Sequence, residues 1–330
     1  MNEISSTPLD KRVELFPKPT PLLSLESLSS NLGVNIHIKR DDLTAIGGGG
    51  NKARKLEYIA HKALESGADT LVTIGSIQSN HARMTAAVAN RLDLDCHLVL
   101  IGNEDDGRVE GNRLLETILE VDTTFTTAAD ASDDIDEVME TLKGEGAEPY
   151  FIEGGGHTPS GALGYVECAA EIHQQCTDSV DYVVTTTGTG TTHAGLIAGV
   201  AWQDLSTEVI GISVARSASR CHEEITDTLK LLDNRYTELT TTDQKITVFD
   251  NYVGEGYGEL TTEARDASQL MSQSEGLFLD PVYTGKAFAG LVDLVKTGYI
   301  EDDSRVIFLH TGGLPGLFVS RFENKEIWDE

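Results

Sequence analysis

A lysine one residue beyond a run of four glycines is the first point at which this sequence could do covalent chemistry. Lys39–Glu57 reads KRDDLTAIGGGGNKARKLE, so Gly47 to Gly50 lead into Asn51-Lys52 at the start of a helical pattern. In the first helical turn Lys52 meets the positive end of the helix dipole, which disfavours its charged form. A lysine with a lowered pKa is an amine nucleophile able to attack a carbonyl. The same residues would also serve a flexible glycine loop carrying a solvated lysine. Gly75–Arg83, GSIQSNHAR, lies between a strand and a helix, and there Ser79, Asn80 and the helix-opening amides would form a nest for a carboxylate. Helix capping accounts for one such residue, but less well for three polar residues in a row. His81 is open to two readings, a proton carrier or a helix-surface histidine.

The third loop is the most informative. Thr185–Gly195, TTTGTGTTHAG, follows the apolar run Tyr182-Val183-Val184 and precedes a helix expected over Leu196–Trp202. Its glycines let backbone amides approach an anion, and its threonine hydroxyls add donors. No lysine follows the last glycine, so it is not a P-loop, and the third glycine of a dinucleotide fingerprint would have to replace His193. A phosphate held without lysine or magnesium points to a monoester cofactor. A glycine-rich turn with no ligand is the alternative. Two late segments, Leu279–Phe288 (LDPVYTGKAF) and Phe308–Phe318 (FLHTGGLPGLF), complete the set. Tyr283 could stack on an aromatic ring, Thr284 could hydrogen-bond a ring nitrogen, and Tyr257, in GEGYGEL, could reach a substrate. Each tyrosine alone is as well explained by packing; it is the combination that points to a site.

These loops need elements to position them. Candidate strands are Asn35–Lys39, Thr70–Ile74, Cys96–Ile101, Pro149–Ile152, Tyr182–Thr186, Glu208–Val214, Lys245–Phe249 and Arg305–His310. Helical patterns lie between most of them. Lys52–Glu65 places Ala53, Leu56, Ile59, Ala60 and Ala63 on one face, with Gly67 as a stop. Repeated strand–loop–helix units imply an α/β fold of parallel sheets flanked by helices, with ligands at the loops leaving the carboxyl ends of strands.

Composition bounds the rest. The 330 residues allow two domains or one large α/β unit, and the hydrophobic fraction of 39% is ordinary. No run reaches the roughly 20 apolar residues of a membrane helix and the start has no signal pattern, so the chain is expected in the cytoplasm, away from membranes. Fifty-four acidic residues against 25 basic ones give a formal charge of −29. The charge is spread along the chain, in patches such as Asn103–Asp106 and Asp133–Glu137, which fits a halophilic surface and excludes nucleic acid as a partner. Cys96, Cys168, Cys176 and Cys221 form no CxxC pair, so neither zinc nor any other metal is expected, and they read as buried reduced thiols.

In this order and spacing, the motifs GGNKARKLE, IQSNHAR, TGTGTTHAG and DPVYTGKA resemble those of the pyridoxal-phosphate (PLP) dependent D-cysteine desulfhydrase and 1-aminocyclopropane-1-carboxylate (ACC) deaminase family, a fold type II, tryptophan-synthase-β-like group. The resemblance runs from about Leu15 to Phe318. It implies a two-domain PLP fold, with residues 1–53 and 161–330 in a large cofactor-binding domain and 54–160 in a small one, and a homodimer. It implies Lys52 as the Schiff-base lysine and Ser79 and Asn80 near the substrate carboxylate and the cofactor's 3′-oxygen. Gly188, Thr189, Gly190, Thr191 and Thr192 would form the phosphate cup, Tyr283 would stack on the pyridine ring, and Tyr257 would be a second active-site tyrosine. Lys52, Tyr283 and Ser79 are then the catalytic set. His81, Tyr257 and Thr311 join Ser79 and Asn80 at the substrate, and Thr284 joins the cofactor residues.

Within that family, deaminases tend to read VYEG, with a glutamate facing the pyridine nitrogen, whereas this chain reads Val282-Tyr283-Thr284-Gly285. A carboxylate would keep the nitrogen protonated and the cofactor a strong electron sink, which ring opening needs and expulsion of a thiolate does not. Thr311, where deaminases tend to carry leucine, points the same way. The expected reaction is therefore α,β-elimination from cysteine, the D-enantiomer first, to pyruvate, ammonia and hydrogen sulfide. The alternatives are an L-cysteine desulfhydrase, a lyase for cysteate, a β-replacement synthase, an ACC deaminase and, outside enzymes, an idle PLP or amino-acid sensor. Glu153–Tyr165, EGGGHTPSGALGY, departs from the family pattern; if His157 entered the site it could recognise an anionic side chain.

Overall fold

The computed structural model describes residues 9, 11–103, 108–237, 239, 244–322 and 328. Strands are β1 (Leu22–Ser24), β2 (Asn35–Arg40), β3 (Thr70–Ser76), β4 (Asp95–Ile101), β5 (Asp122–Thr126), β6 (Pro149–Ile152), β7 (Tyr182–Thr187), β8 (Glu208–Ser213), β9 (Thr247–Phe249) and β10 (Arg305–His310). Helices are α1 (Glu26–Leu32), α2 (Lys52–Glu65), α3 (Asn80–Arg91), α4 (Gly111–Ile118), α5 (Ala131–Gly144), α6 (Pro159–Gln175), α7 (Thr191–Trp202), α8 (Ala218–Arg235), α9 (Thr262–Glu275) and α10 (Thr284–Lys296). They build two sheets, a six-stranded one in the order β1-β2-β10-β7-β8-β9 and a four-stranded one in the order β5-β4-β3-β6. Every pairing is parallel except β1 on β2.

Apolar residues on both faces explain why the central strands are parallel and covered on both sides. On β10, Val306 and Phe308 pack with α1, α9 and α10, while Ile307 and Leu309 pack with α6, α7 and α8. The four-stranded sheet uses residues 70–152 alone and packs α2 and α3 on one side, through Leu71 and Ile152, and α5 on the other, through Val72 and Val99.

A buried ionic cluster joins these layers. Arg54, on α2, bonds Asp41 at 2.8 Å and Glu171 of α6 at 2.8 Å, Lys39 bonds Glu171 at 2.8 Å, and the Tyr165 hydroxyl donates to Asp41 at 2.7 Å. Burial alone would raise the Glu171 carboxyl, but Arg54 and Lys39 hold it down at about 2. The cluster fixes the first turn of α2, two residues beyond Lys52.

Of the four cysteines, all free, Cys168 and Cys221 are buried and Cys96 and Cys176 only half-buried. Among the described residues no helix is long and apolar enough to cross a membrane, and no group of His, Cys, Asp and Glu could hold a metal ion. Asp133, Asp136 and Glu137 are exposed on α5; of the other acidic patch, Glu104 to Asp106 lie outside the described residues.

Candidate active site

A cavity of about 450 Å³ opens where strands of both sheets end, lined by Gly75 and Ser76 of β3, Thr186 of β7, Val214 after β8 and Thr311 after β10. The position follows from chain direction: parallel strands deliver their carboxyl ends, and the loops that follow, to one side.

Lys52 lines this cavity as the first residue of α2. The glycine run before it is strained into place. Gly47, Gly48, Gly49 and Gly50 have φ of 55°, 82°, 78° and 128°, and a Cβ on Gly49 would stand 1.9 Å from the Asp42 carbonyl oxygen. The Arg83 guanidinium of α3 donates to the carbonyls of Gly47 and Gly49 and to Asn112. This is a clamped loop, not a flexible one. The Lys52 amine falls from 10.5 to about 8, and the leading cause is burial. Capture of an aldehyde by the cofactor-free protein is therefore expected to quicken with pH, about tenfold per unit below 8, and to level off above it. Stopped-flow absorbance across that range checks this; a rise continuing to pH 10.5 would show an ordinary, solvated lysine.

Ser79 and Asn80 also line the cavity and begin α3. Ser79 caps the helix, accepting from the Ala82 amide at 3.1 Å, which leaves its own proton free to donate. Asn80 Oδ1 accepts from Asn112 at 3.0 Å and from Arg83 at 3.4 Å, so its amide nitrogen is the group left for a ligand. His81 is not on the helix surface. It is 2% exposed, lines the cavity, and approaches Thr73 Oγ1 through Nε2 at 3.0 Å. Since the Thr73 hydroxyl donates to the Ile152 carbonyl, Nε2 must carry the proton, and Nδ1 is left buried without a partner. Burial, then Lys52 and Lys55, push this imidazole well below its ordinary pKa, so it is a neutral acceptor.

Gly188, Thr189, Gly190 and Thr192 line the cavity too, and Asn51 donates to the Thr192 hydroxyl at 3.2 Å. Here α7 begins at Thr191, five residues before the helix expected from Leu196, so the glycine–threonine run is itself the helix start. Gly190 stands at its N-cap with φ 84° and no side chain caps it, so the opening amides of α7 are available to an anion. Thr191 itself does not line the cavity; its hydroxyl meets Thr189 Oγ1 at 3.3 Å and His157 Nδ1 at 2.7 Å.

Tyr257 and Tyr283 line the cavity with their hydroxyls hydrogen-bonded and their rings edge-on, 5.9 Å apart. Burial, with Tyr257 alongside, pushes the Tyr283 phenol well above its ordinary pKa. Thr284 departs from expectation. It is fully buried outside the cavity lining, and its hydroxyl donates to Asp280 Oδ1 at 2.7 Å. Being the first residue of α10, it turns back onto Asp280, four residues earlier, rather than towards a ligand. Thr311, by contrast, does line the cavity, with its hydroxyl 3.2 Å from Thr186 Oγ1.

Residues that the sequence reading passed over complete the site. Lys55 lies one turn beyond Lys52 on the same face of α2, a spacing that could have flagged it; it lines the cavity and donates to Gly155 O at 3.1 Å. Burial, then Lys52, push it well below its ordinary pKa. Gly154 and Gly155 form the floor, and a Cβ on Gly155 would reach Thr189 at 3.0 Å and Lys52 Nζ at 3.8 Å. Lys286 donates to the carbonyls of Val253 and Gly256 at 2.7 and 3.1 Å, pinning the Tyr257 loop to α10. Asp280 accepts from the amides of Val282, Tyr283 and Thr284 at 3.0, 2.8 and 2.8 Å and so shapes the turn that presents Tyr283. Asp280→Ala is expected to lower stability by roughly 3 kcal/mol, because it strands several buried donors. Equilibrium denaturation checks it; an unchanged midpoint would mean that the turn holds itself.

The donor set fits pyridoxal phosphate. Two lysines with depressed pKa values and an uncapped helix N-terminus call for a dianion, the glycine floor leaves room beside Lys52, and Lys52 itself can take an aldehyde.

Comparison with known proteins agrees with this fit. The family described as "Pyridoxal-phosphate dependent enzyme" matches residues 13–312. A D-cysteine desulfhydrase from Klebsiella pneumoniae is 43% identical over 315 residues, covering 93% of this chain and 95% of that protein. One from Salmonella choleraesuis is 43% identical over 317 residues, with the same coverage. Among solved structures, an ACC deaminase homologue superposes with a TM-score of 0.87 at 39% identity, over 93% of both chains. Threonine deaminase isoform 2 from Solanum lycopersicum, at a TM-score of 0.67 and 17% identity over 93% of this chain and 81% of that one, shares the fold.

Proposed function

The chain belongs to the pyridoxal-phosphate dependent enzyme family, and from that premise we propose that it performs α,β-elimination on cysteine, the D-enantiomer first, giving pyruvate, ammonia and hydrogen sulfide. The relatives called D-cysteine desulfhydrase support the substrate. The observation that carries the reaction type is the cavity wall: among the described residues, not one lining it is a carboxylate. Nothing there would hold a ring nitrogen protonated, as ring opening of a cyclopropane requires. Thr311 lines that wall and Thr284 does not.

Bound in the cavity, pyridoxal phosphate supplies an electron sink for the charge that develops as the Cα proton leaves. Lys52 would hold it, with Gly188–Thr192, Lys55 and the α7 amides around its phosphate. Ser79 and Asn80, each with a donor to spare, grip the substrate carboxylate and fix the orientation of the Cα–H bond. Two candidates for the base were open, and the directions of their pKa shifts favour Lys52. Lys52, near 8, exchanges protons in neutral solution, whereas the Tyr283 phenol stays protonated and can only donate. Lys52 therefore takes the Cα proton, and Tyr283, paired with Tyr257, gives one to the departing sulfur. We further read the two sheets as the cores of the large and small domains, with the boundaries near residues 53 and 160 falling in the first turns of α2 and α6. A cytoplasmic homodimer is the reading for assembly, supported by exposed Leu114 and Ile118 of α4 near exposed Phe318.

The test is a product assay on cofactor-loaded protein in concentrated KCl, with D-cysteine, L-cysteine, cysteate and ACC in parallel. Sulfide and pyruvate from D-cysteine are expected. Sulfite from cysteate would replace the substrate, 2-oxobutyrate from ACC would overturn the argument from the cavity wall, and cofactor binding without any turnover would leave a sensor.

A further inference from the structure

His157 does not line the cavity; it stands behind the anion cradle. Its place is fixed on both sides. Gly155, two residues earlier, packs against Thr189, and Thr158, the next residue, caps α6 by accepting from the Gly161 amide at 3.0 Å. From that position Nδ1 meets Thr191 Oγ1 at 2.7 Å, and Thr191 in turn meets Thr189 Oγ1 at 3.3 Å in the cavity wall. On the far side Nε2 faces Glu224 Oε2 at 3.4 Å, and Arg216 and Arg220 hold the other oxygen of that carboxylate.

This chain of polar atoms has two directions. In a neutral imidazole the Glu224 carboxylate draws the proton to Nε2, so Nδ1 accepts from the Thr191 hydroxyl. The Thr191 oxygen then offers its lone pairs to Thr189, whose proton turns away from the cradle. In a protonated imidazole Nδ1 donates to Thr191, whose hydroxyl then donates a hydrogen bond to Thr189 and leaves the Thr189 hydroxyl free to donate to an anion. We propose that His157 is a proton-linked positioning residue, whose protonation turns the Thr191–Thr189 hydroxyls onto the bound phosphate and whose proton is held in place by that phosphate. The inference rests on Gly188–Thr192 being the phosphate cup.

The charged groups around the ring agree with this coupling. Burial, then Lys55 of α2, lower the His157 pKa; Glu224 of α8 raises it, and Arg216, before α8, lowers it. Without an anion the ring thus gives up its proton at a lower pH than an ordinary imidazole. A phosphate dianion offsets Lys55 and Arg216 and raises the pKa, so binding takes up a proton at pH values between the two pKa values.

Phosphorus NMR of the cofactor-loaded full chain, titrated from about pH 5 to 8, tests this. Beside any shift from the phosphate's own ionisation near pH ~6, the wild-type resonance is expected to show a further step as His157 loses its proton. In His157→Gln, which keeps a polar partner for Thr191 but cannot titrate, that step should vanish. Cofactor affinity of the variant should fall about tenfold at the acid end and converge with wild type at the alkaline end. Glu224→Gln should move the step to lower pH. A further step that survives His157→Gln, or an affinity ratio that does not change with pH, overturns the proposal. Thr189→Ala separates the two levels of the inference. If it moves the resonance while His157→Gln does not, only the role of His157 falls; if neither moves it, the phosphate is not in this cup.

Discussion

Lys52→Ala is expected to lose covalent retention of the cofactor and to lower turnover by at least a thousandfold. Proton transfer by one positioned group contributes about 10²–10⁴ in rate, and in the proposed reading the same amine would also anchor the cofactor. Lys55 is the residue that could mask the effect, since it lines the same cavity, but it is already bonded to the Gly155 carbonyl. The variant should still fold, because the contacts that fix α2 belong to Arg54, and should bind cofactor through the cup in a form that dialysis removes. Visible absorbance before and after dialysis, with the product assay, gives the answer. Borohydride reduction followed by peptide mapping locates the attachment. Wild-type turnover in the variant, or wild-type label found on Lys55, would sink the assignment of Lys52.

Much of the fold was legible because parallel strands are apolar on both faces and announce themselves. Pro149–Ile152 and Arg305–His310 fall where their β-branched and aromatic runs place them. β1 and β5 escaped notice for a physical reason: β1 is a three-residue edge strand, and β5, DTTFT, carries little apolar signal. The site was legible as a set of loops, since glycine with threonine at strand ends has few uses besides binding. Its inner details were not. Thr284 has the right type and neighbours for a ligand contact, but a residue that opens a helix can turn its hydroxyl to a carboxylate one turn back, and Asp280 captures it. The direction of His157 was equally hidden, because the Gly154–Gly156 turn decides which wall it reaches.

The acidic surface gives the second large effect: in about 2 M KCl the chain should melt at least 10 °C higher than in about 0.1 M, where screening reaches only ~10 Å. A formal charge of −29 on one folded chain is a repulsion that unfolding relieves, and groups such as Asp133, Asp136 and Glu137 on α5 are exposed. The interior should not share this dependence. Lys39, Asp41, Arg54 and Glu171 are buried and already neutralise one another, so bulk ions gain nothing by approaching them. Salt should thus set whether the molecule is folded and leave the geometry around Lys52 unchanged once it is. Scanning calorimetry in KCl, and in sodium sulfate at equal ionic strength, separates screening from strengthened apolar burial, since the second depends on the anion's identity. Equal melting points at equal ionic strength are expected, together with a smaller salt requirement after Asp133, Asp136 and Glu137 are changed to serine. A melting point indifferent to KCl would mean that local pairing already offsets the surface charge, and the reading of a halophilic surface would fail.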